Sequence, residues 1–320
     1  MAGLPGTAGA TTVLDAWKGR GTTALPWVIA HRGDSAHAPE NTLEAARRAW
    51  KAGADAWELD VQLTRDGVPI VLHDETLRRT TDVAQRFAGD PRGAAGFRVA
   101  DFDLDEIRIL DAGSWFLDPR GGPRTAVDFG TLDCLGTEER VLYASGAVRV
   151  PTLAEALGLT EQLDWRVNVE LKSFPDATPR LVDAVLDLID RLGVARRVWI
   201  SSFDHSSVAR VARRGHGVAT GVLTAHPLHR PQDYVQGLIG ADAYHPSAQI
   251  LGAGSAAYRR RPSPAALLRR DLEALAGARI PVFVYTVNDV AEGGLADHLA
   301  QVGVAGLFTD DPGPLITRWG

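Results

Sequence analysis

A chain of 320 residues that is 45% hydrophobic has material for one large core or two small ones. Its formal net charge of −6 argues against an extended nucleic-acid surface, although a local pocket can still be basic. A single cysteine, Cys134, rules out an internal disulfide, and no run approaches the roughly 20 apolar residues of a membrane helix.

Residues 1–26 are rich in Gly, Ala and Thr, with weak periodicity and no apolar run long enough for a signal-peptide core. They are expected to form a loose extension or one short helix, and the protein is expected in the cytoplasm. From Trp27 onward short apolar runs alternate with amphipathic stretches, and the runs end in polar or charged residues. Eight runs follow one another: Trp27–His31, Ala56–Val61, Arg166–Lys172, Val198–Phe203, Ala219–Leu223, Ala243–Pro246, Val282–Val287 and Gly306–Thr309. Helical patterns separate most of them, at Leu43–Ala52, Leu181–Leu192, Val208–Arg213, Leu267–Leu275 and Leu295–Val302.

Eight strand-helix units predict a (β/α)8 TIM barrel over residues 27–320, with a doubly wound open sheet as the alternative. The barrel is favoured because His31, Glu58, Asp60, Glu170, Lys172 and Asp310 fall near the C-terminal ends of different strands. A barrel gathers such ends around one mouth. Two stretches break the alternation, Asp74–Leu110 and Leu117–Arg149, and together predict an inserted loop region over about 74–149, after the second strand's hairpin.

The chemistry starts in Trp57-Glu58-Leu59-Asp60-Val61. Residues two apart on a strand share a face, so Glu58 and Asp60 point together, and a hard divalent cation is the usual partner of such a pair at a barrel mouth. Asp66-Gly67, flanked by apolar residues, then predicts a tight hairpin. With Arg65-Asp66 in the turn, His73 lies opposite Glu58; with Asp66-Gly67 in the turn, it lies opposite Asp60. His31-Arg32-Gly33 brings a second imidazole and an arginine from the neighbouring strand, and two histidines suit an acid and a base near neutral pH. On the third run Glu170 and Lys172 share a face, supplying a third carboxylate beside a cation for a phosphate oxygen. Lysine occurs only at 18, 51 and 172, which makes Lys172 informative.

Other motifs carry less. Gly252-Ala253-Gly254-Ser255-Ala256-Ala257 imitates a dinucleotide fingerprint without a βαβ context, and HExxH, paired CxxC and GxSxG are absent. His245, at the end of the sixth run, is a further candidate to face the mouth; the remaining histidines are expected to be ordinary polar residues.

The ordered series His31-Arg32-Gly33, Ala38-Pro39-Glu40-Asn41-Thr42, Glu58-Leu59-Asp60, Thr64-Arg65-Asp66-Gly67, His73-Asp74, Thr76–Thr81, Glu170-Leu171-Lys172, Thr286-Val287-Asn288 and Thr309–Pro312 resembles the glycerophosphodiester phosphodiesterase family. The resemblance covers nearly everything after Trp27. It implies a barrel with an insertion after the strand-2 hairpin and one divalent ion, Mg2+ or Ca2+, on Glu58, Asp60 and Glu170. It also implies His31 and His73 as the acid/base pair, Arg32 and Lys172 on the phosphate, and Glu40 and Asn41 behind His31. Tyr285 stands where the family commonly has tryptophan, and Leu117–Arg149 is longer than the usual link. The activity implied is hydrolysis of a small glycerophosphodiester to glycerol phosphate and an alcohol. Two alternatives are a phospholipase D-like barrel enzyme acting on lysophospholipids or sphingolipids, with an apolar docking loop containing Phe129, Leu132 and Leu135, and a noncatalytic ligand- or calcium-binding barrel.

Overall fold

The computed structural model describes residues 12–15, 25–118, 128–173, 178–215, 217–250 and 263–320. Among the described residues there are nine strands: β1 (Trp27–His31), β2 (Ala56–Leu63), β3 (Pro69–Val71), β4 (Val167–Leu171), β5 (Val198–Ser202), β6 (Ala219–Thr224), β7 (Ala243–Pro246), β8 (Phe283–Val284) and β9 (Gly306–Thr309). Eight run parallel in the order β7-β6-β5-β4-β2-β1-β9-β8, and β3 pairs antiparallel with β2. Isolated parallel bridges Tyr244–Val282 and Ser247–Tyr285 join β7 to β8 and close the (β/α)8 barrel.

Strand parity sorts the side chains. Trp57, Leu59, Val61, Val167, Val169 and Leu171 are buried against the surrounding helices. The alternate positions face inward, where Trp27, Ile29, Ala56, Trp199, Ala219, Ala243, Phe283 and Phe308 fill the barrel with Val13 and Leu14. Leu14 is fully buried, so residues 13–14 of the expected loose extension contribute to the core. One step further along the same inward face come His31, Glu58 and Asp60, and on β4 Glu170: the barrel is apolar at its base and polar at its mouth.

The helix Leu43–Ala52 shows how local chemistry sets the first βα loop. The Thr42 side chain accepts from Ala45 N at 3.2 Å, and Gly53 ends the helix at φ +96°. Ala45, Ala46 and Ala49 are buried, and their small side chains let the helix approach the sheet. Helices at Thr178–Leu192, His205–Arg214, Ser263–Gly277 and Leu295–Gln301 contain the expected patterns with boundaries shifted by a few residues. A further helix, Leu153–Gln162, was not among those expected; Thr152 and Glu155 form its capping box, a signal present in the sequence.

The hairpin adopts neither expected register. Val61 pairs with Val71 and Leu63 with Pro69, leaving a three-residue loop, Arg65-Asp66-Gly67, with Gly67 at φ +83°. Continued two residues, this register would put His73 opposite Leu59, on the face turned from the mouth. The β2–β3 ladder stops at Val71, and beyond Leu72, whose N–H donates to Asp60 O at 2.9 Å, the chain turns His73 into the cleft.

The described residues of the stretch 74–149 pack together rather than forming loose loops. Phe97, Val99, Phe102, Ile107, Leu110, Phe116, Leu135, Tyr143 and Val148 form a buried cluster with Ile70, Leu72 and Leu77. Arg92 lies over the Phe102 ring at 3.7 Å and pairs with Asp90 and Glu106, which accounts for part of the polar composition. His245 does not face the mouth. It is fully buried inside the barrel between Phe283 and Phe308, with burial pushing its imidazole down to about 3, so it stays neutral. The glycine-rich stretch 252–257 lies outside the described residues.

Candidate active site

At the C-terminal ends of the strands a cleft of about 190 Å³ is lined by His31, Arg32, Glu58, His73, Asn168, Glu170, Lys172, Phe203, Tyr285 and neighbours. Seven of the ten expected site residues thus line one cavity; Asp60, Glu40 and Asn41 are not among its lining. Oxygens of Glu58, Asp60 and Glu170 lie within 4.8 Å of one another. Hydrogen-bonded strand neighbours account for this approach: β2 and β4 pair Asp60 with Glu170, and β1 and β2 pair His31 with Glu58.

Three buried carboxylates face two cations. Lys172 Nζ contacts Glu170 and lies 2.9 Å from Asp60 Oδ1, while Arg32 Nε lies 3.2 Å from Asp60 Oδ2. Asn41 Nδ2 donates to Asp60 Oδ2 at 2.7 Å. Burial opposes ionisation of Asp60, but Lys172, Arg32, His73 and Asn41 outweigh it and hold the carboxyl well below its usual range. Glu58 goes the other way. Burial, then the charges of Asp60 and Glu170, push it well above the usual range, and its Oε1 finds no hydrogen-bond donor among the described residues. An all-oxygen donor set with one unsatisfied buried acceptor fits a hard divalent cation.

Each histidine is oriented by a carboxylate. His31 Nδ1 lies 2.7 Å from Asp310 Oδ1, and His73 Nδ1 lies 2.7 Å from Asp74 Oδ1. An ionised carboxylate only accepts, so beside such a group each Nδ1 carries the proton and each Nε2 carries the lone pair. His31 Nε2 is 3.9 Å from Glu58 Oε2. Asp310 is itself held by Ser35 Oγ at 3.0 Å and Asn288 Nδ2 at 2.5 Å. Asp310 was expected at the mouth but without a role, while Asp74 and Asn288 were not among the expected site residues, although both occur in the quoted motifs.

The His31 loop is stiffly built. Arg32, at φ +59°, donates its N–H to Glu58 Oε2 at 2.9 Å and its guanidinium to Glu40 Oε1 at 2.6 Å. Asn41, at φ +60°, donates N–H to Arg32 O at 3.0 Å and its side-chain amide to Asp60, so loop and strand are tied together. On the opposite wall, the Tyr285 ring meets Phe203 edge-on at 5.7 Å; burial and then Glu170 push its hydroxyl above the usual tyrosine range. A second group, Asp34, His37 and Asp311, gathers beside the loop, where Arg48 Nε already neutralises Asp34 at 2.8 Å.

Residues 31–314 match the model of the glycerophosphoryl diester phosphodiesterase family. The chain belongs to that family. A glycerophosphodiester phosphodiesterase of Caldanaerobacter subterraneus subsp. tengcongensis is 32% identical over 289 residues, covering 90% of this chain and 96% of the relative. One from Bacillus altitudinis is 31% identical over 286 residues, covering 89% and 94%. Among solved structures, a candidate glycerophosphoryl diester phosphodiesterase from Silicibacter pomeroyi aligns with a TM-score of 0.74 at 27% identity, over 96% of both chains. Family membership makes the chain an enzyme of the phosphoric diester hydrolase class.

Proposed function

We propose that the protein hydrolyses small glycerophosphodiesters to glycerol phosphate and an alcohol, using His31 and His73 as its proton-transfer pair. The observation that carries this reading is the convergence in one cleft of two carboxylate-oriented imidazoles, three clustered carboxylates and two cations. Glu58, Asp60 and Glu170 would hold one divalent ion, Mg2+ or Ca2+. When bound, it supplies positive charge to a nonbridging phosphate oxygen as charge builds there.

This chain's own groups do the rest. The Arg32 guanidinium and Lys172 ammonium, both at the cleft wall, hold the phosphate and offset the developing charge. One imidazole, neutral, takes the proton of the attacking hydroxyl at Nε2, while the other, entering as imidazolium with a proton on each nitrogen, gives its Nε2 proton to the departing alcohol oxygen. Asp310 and Asp74 keep both rings in the tautomer this exchange needs. Glu40 and Asn41 hold Arg32 and Asp60 in place, and Tyr285 with Phe203 walls the side opposite the cations.

Membrane-lipid substrates are less well supported. Of the three apolar residues of the expected docking loop, Leu135 is buried, Leu132 packs against the cluster of the stretch 74–149, and Phe129 is half-buried. No helix among the described residues is long and apolar enough to cross a membrane; we take the enzyme to meet its substrate in the cytoplasm.

The experiment is turnover of a glycerophosphodiester panel by wild type, His31→Ala and His73→Ala. Each variant is expected to lose on the order of 10²–10⁴-fold in kcat with the fold intact. Near-normal kcat in either removes that histidine from the mechanism.

A further inference from the structure

Arg79 sits outside the cleft, in the segment that opens the insertion, yet it reaches both histidine-bearing loops. Its NH1 and NH2 donate to Glu40 Oε2 and Oε1, each at 2.8 Å. Its Nε donates to Asp74 Oδ2 at 2.6 Å and NH2 again to Asp74 Oδ1 at 2.9 Å. One planar guanidinium therefore grips two carboxylates, each through both oxygens. The links continue on both sides: Asp74 accepts from His73 Nδ1 at 2.7 Å, and Glu40 accepts from Arg32, the residue after His31, at 2.6 Å.

We infer that Arg79 is a positioning residue that fixes the His73 loop relative to the His31–Arg32 loop. The inference rests on the two-histidine reading above. Its physical content is that the imidazoles come from different strands, β1 and the return of the hairpin, and β3 is only three residues long. His73, beyond the end of that ladder, needs another anchor. Arg79 provides it through Asp74 and ties it to Glu40, whose side chain is almost wholly buried. The insertion holds the arginine in turn: Leu77 is fully buried, Thr81 Oγ1 donates to Leu77 O, and the guanidinium lies 5.9 Å from the Trp115 ring centroid. Lysine keeps the charge but cannot serve two carboxylates in one plane.

The test compares R79K and R79A with wild type on glycerophosphocholine, in whichever of Mg2+ or Ca2+ supports turnover. R92K serves as a control that loosens the Arg92–Phe102 packing of the insertion without touching either histidine loop. R79K is expected to lose about tenfold to a hundredfold in kcat, with KM within about threefold of wild type and Tm nearly unchanged. Its pH profile of kcat is expected to shift, because Asp74 no longer orients His73 in the same way. R79A loses more and regains part of its kcat with added guanidinium. R92K lowers Tm and leaves kcat in place. Wild-type kcat and pH profile in R79K overturn the inference, as does a kcat loss that R92K reproduces. His73→Ala in the same assay separates the levels: normal turnover there removes the two-histidine reading, whereas an inactive His73→Ala beside an unimpaired R79K removes only the role of Arg79.

Discussion

At Gly33 φ is +83°, and a Cβ would stand 2.5 Å from the Ala45 carbonyl carbon and 2.6 Å from its Cβ. Both a left-handed backbone and close approach to the helix Leu43–Ala52 are therefore required immediately after Arg32. Gly33→Ala is expected to destabilise the protein by roughly 2–5 kcal/mol, combining backbone strain with overpacking, and to lower kcat by displacing Arg32. Thermal denaturation with parallel turnover measurements checks it; an unchanged Tm contradicts it. At this scale much of the candidate site was legible, because strand parity alone aligns Glu58 with Asp60 and places His31 and Glu170 on inward positions. Asp74 and Asp310 were harder to assign: a carboxylate that orients a histidine has no pattern of its own, and Asp310 lies 279 residues from His31. His245 misled because it has the same inward parity but lies under Phe308, in the apolar layer, where only neutral imidazole is tolerated.

The helix His205–Arg214 begins on Asp204, whose carboxylate accepts from Ser206 N at 3.0 Å and Ser207 Oγ at 2.7 Å. Burial opposes its ionisation, but these hydrogen bonds hold its carboxyl below the usual value. Asp204→Ala is expected to cost about 1 kcal/mol at pH 7. The sign of the pH dependence follows from a folded-state value below the unfolded one. The cap's contribution is fully present above about pH 4 and is lost as pH falls through the lower folded value. The Tm difference between wild type and Asp204→Ala should shrink between pH 7 and pH 3; a difference that grows on acidification contradicts the assignment. Ser207 Oγ also lies 3.0 Å from Ser173 Oγ, so this cap supports the segment that follows Lys172. Element existence was largely legible from period and turn signals. Register was not: the choice among two- and three-residue hairpin loops depends on Gly67 adopting φ +83° and on the tip docking, with Arg65 N donating to Phe102 O at 2.8 Å. The insertion looked loop-like because its apolar residues are scattered among short helical turns, and their common core becomes visible only once those turns pack.

For the whole molecule, the barrel turns distant short motifs into one site by bringing β1, β2, β4 and β9 side by side in the sheet, with the hairpin folded back on β2. Residues from the stretch 74–149 pack beside the loops that carry the two histidines: Arg79 pairs with Glu40 and Asp74, and Glu139 contacts Arg48. Burial, then the charges of Asp60 and Glu170, make Glu58 the carboxyl of the three that most resists ionising, and its Oε1 lacks a donor among the described residues, so a cation there would relieve it. This is the basis for assigning a cation to the three carboxylates. The most direct measurement is release of glycerol phosphate from glycerophosphodiesters by exhaustively chelated protein, before and after addition of Mg2+ or Ca2+. The account predicts loss of turnover on chelation and its return with one of the two ions; turnover undiminished by complete removal of divalent metal would contradict it.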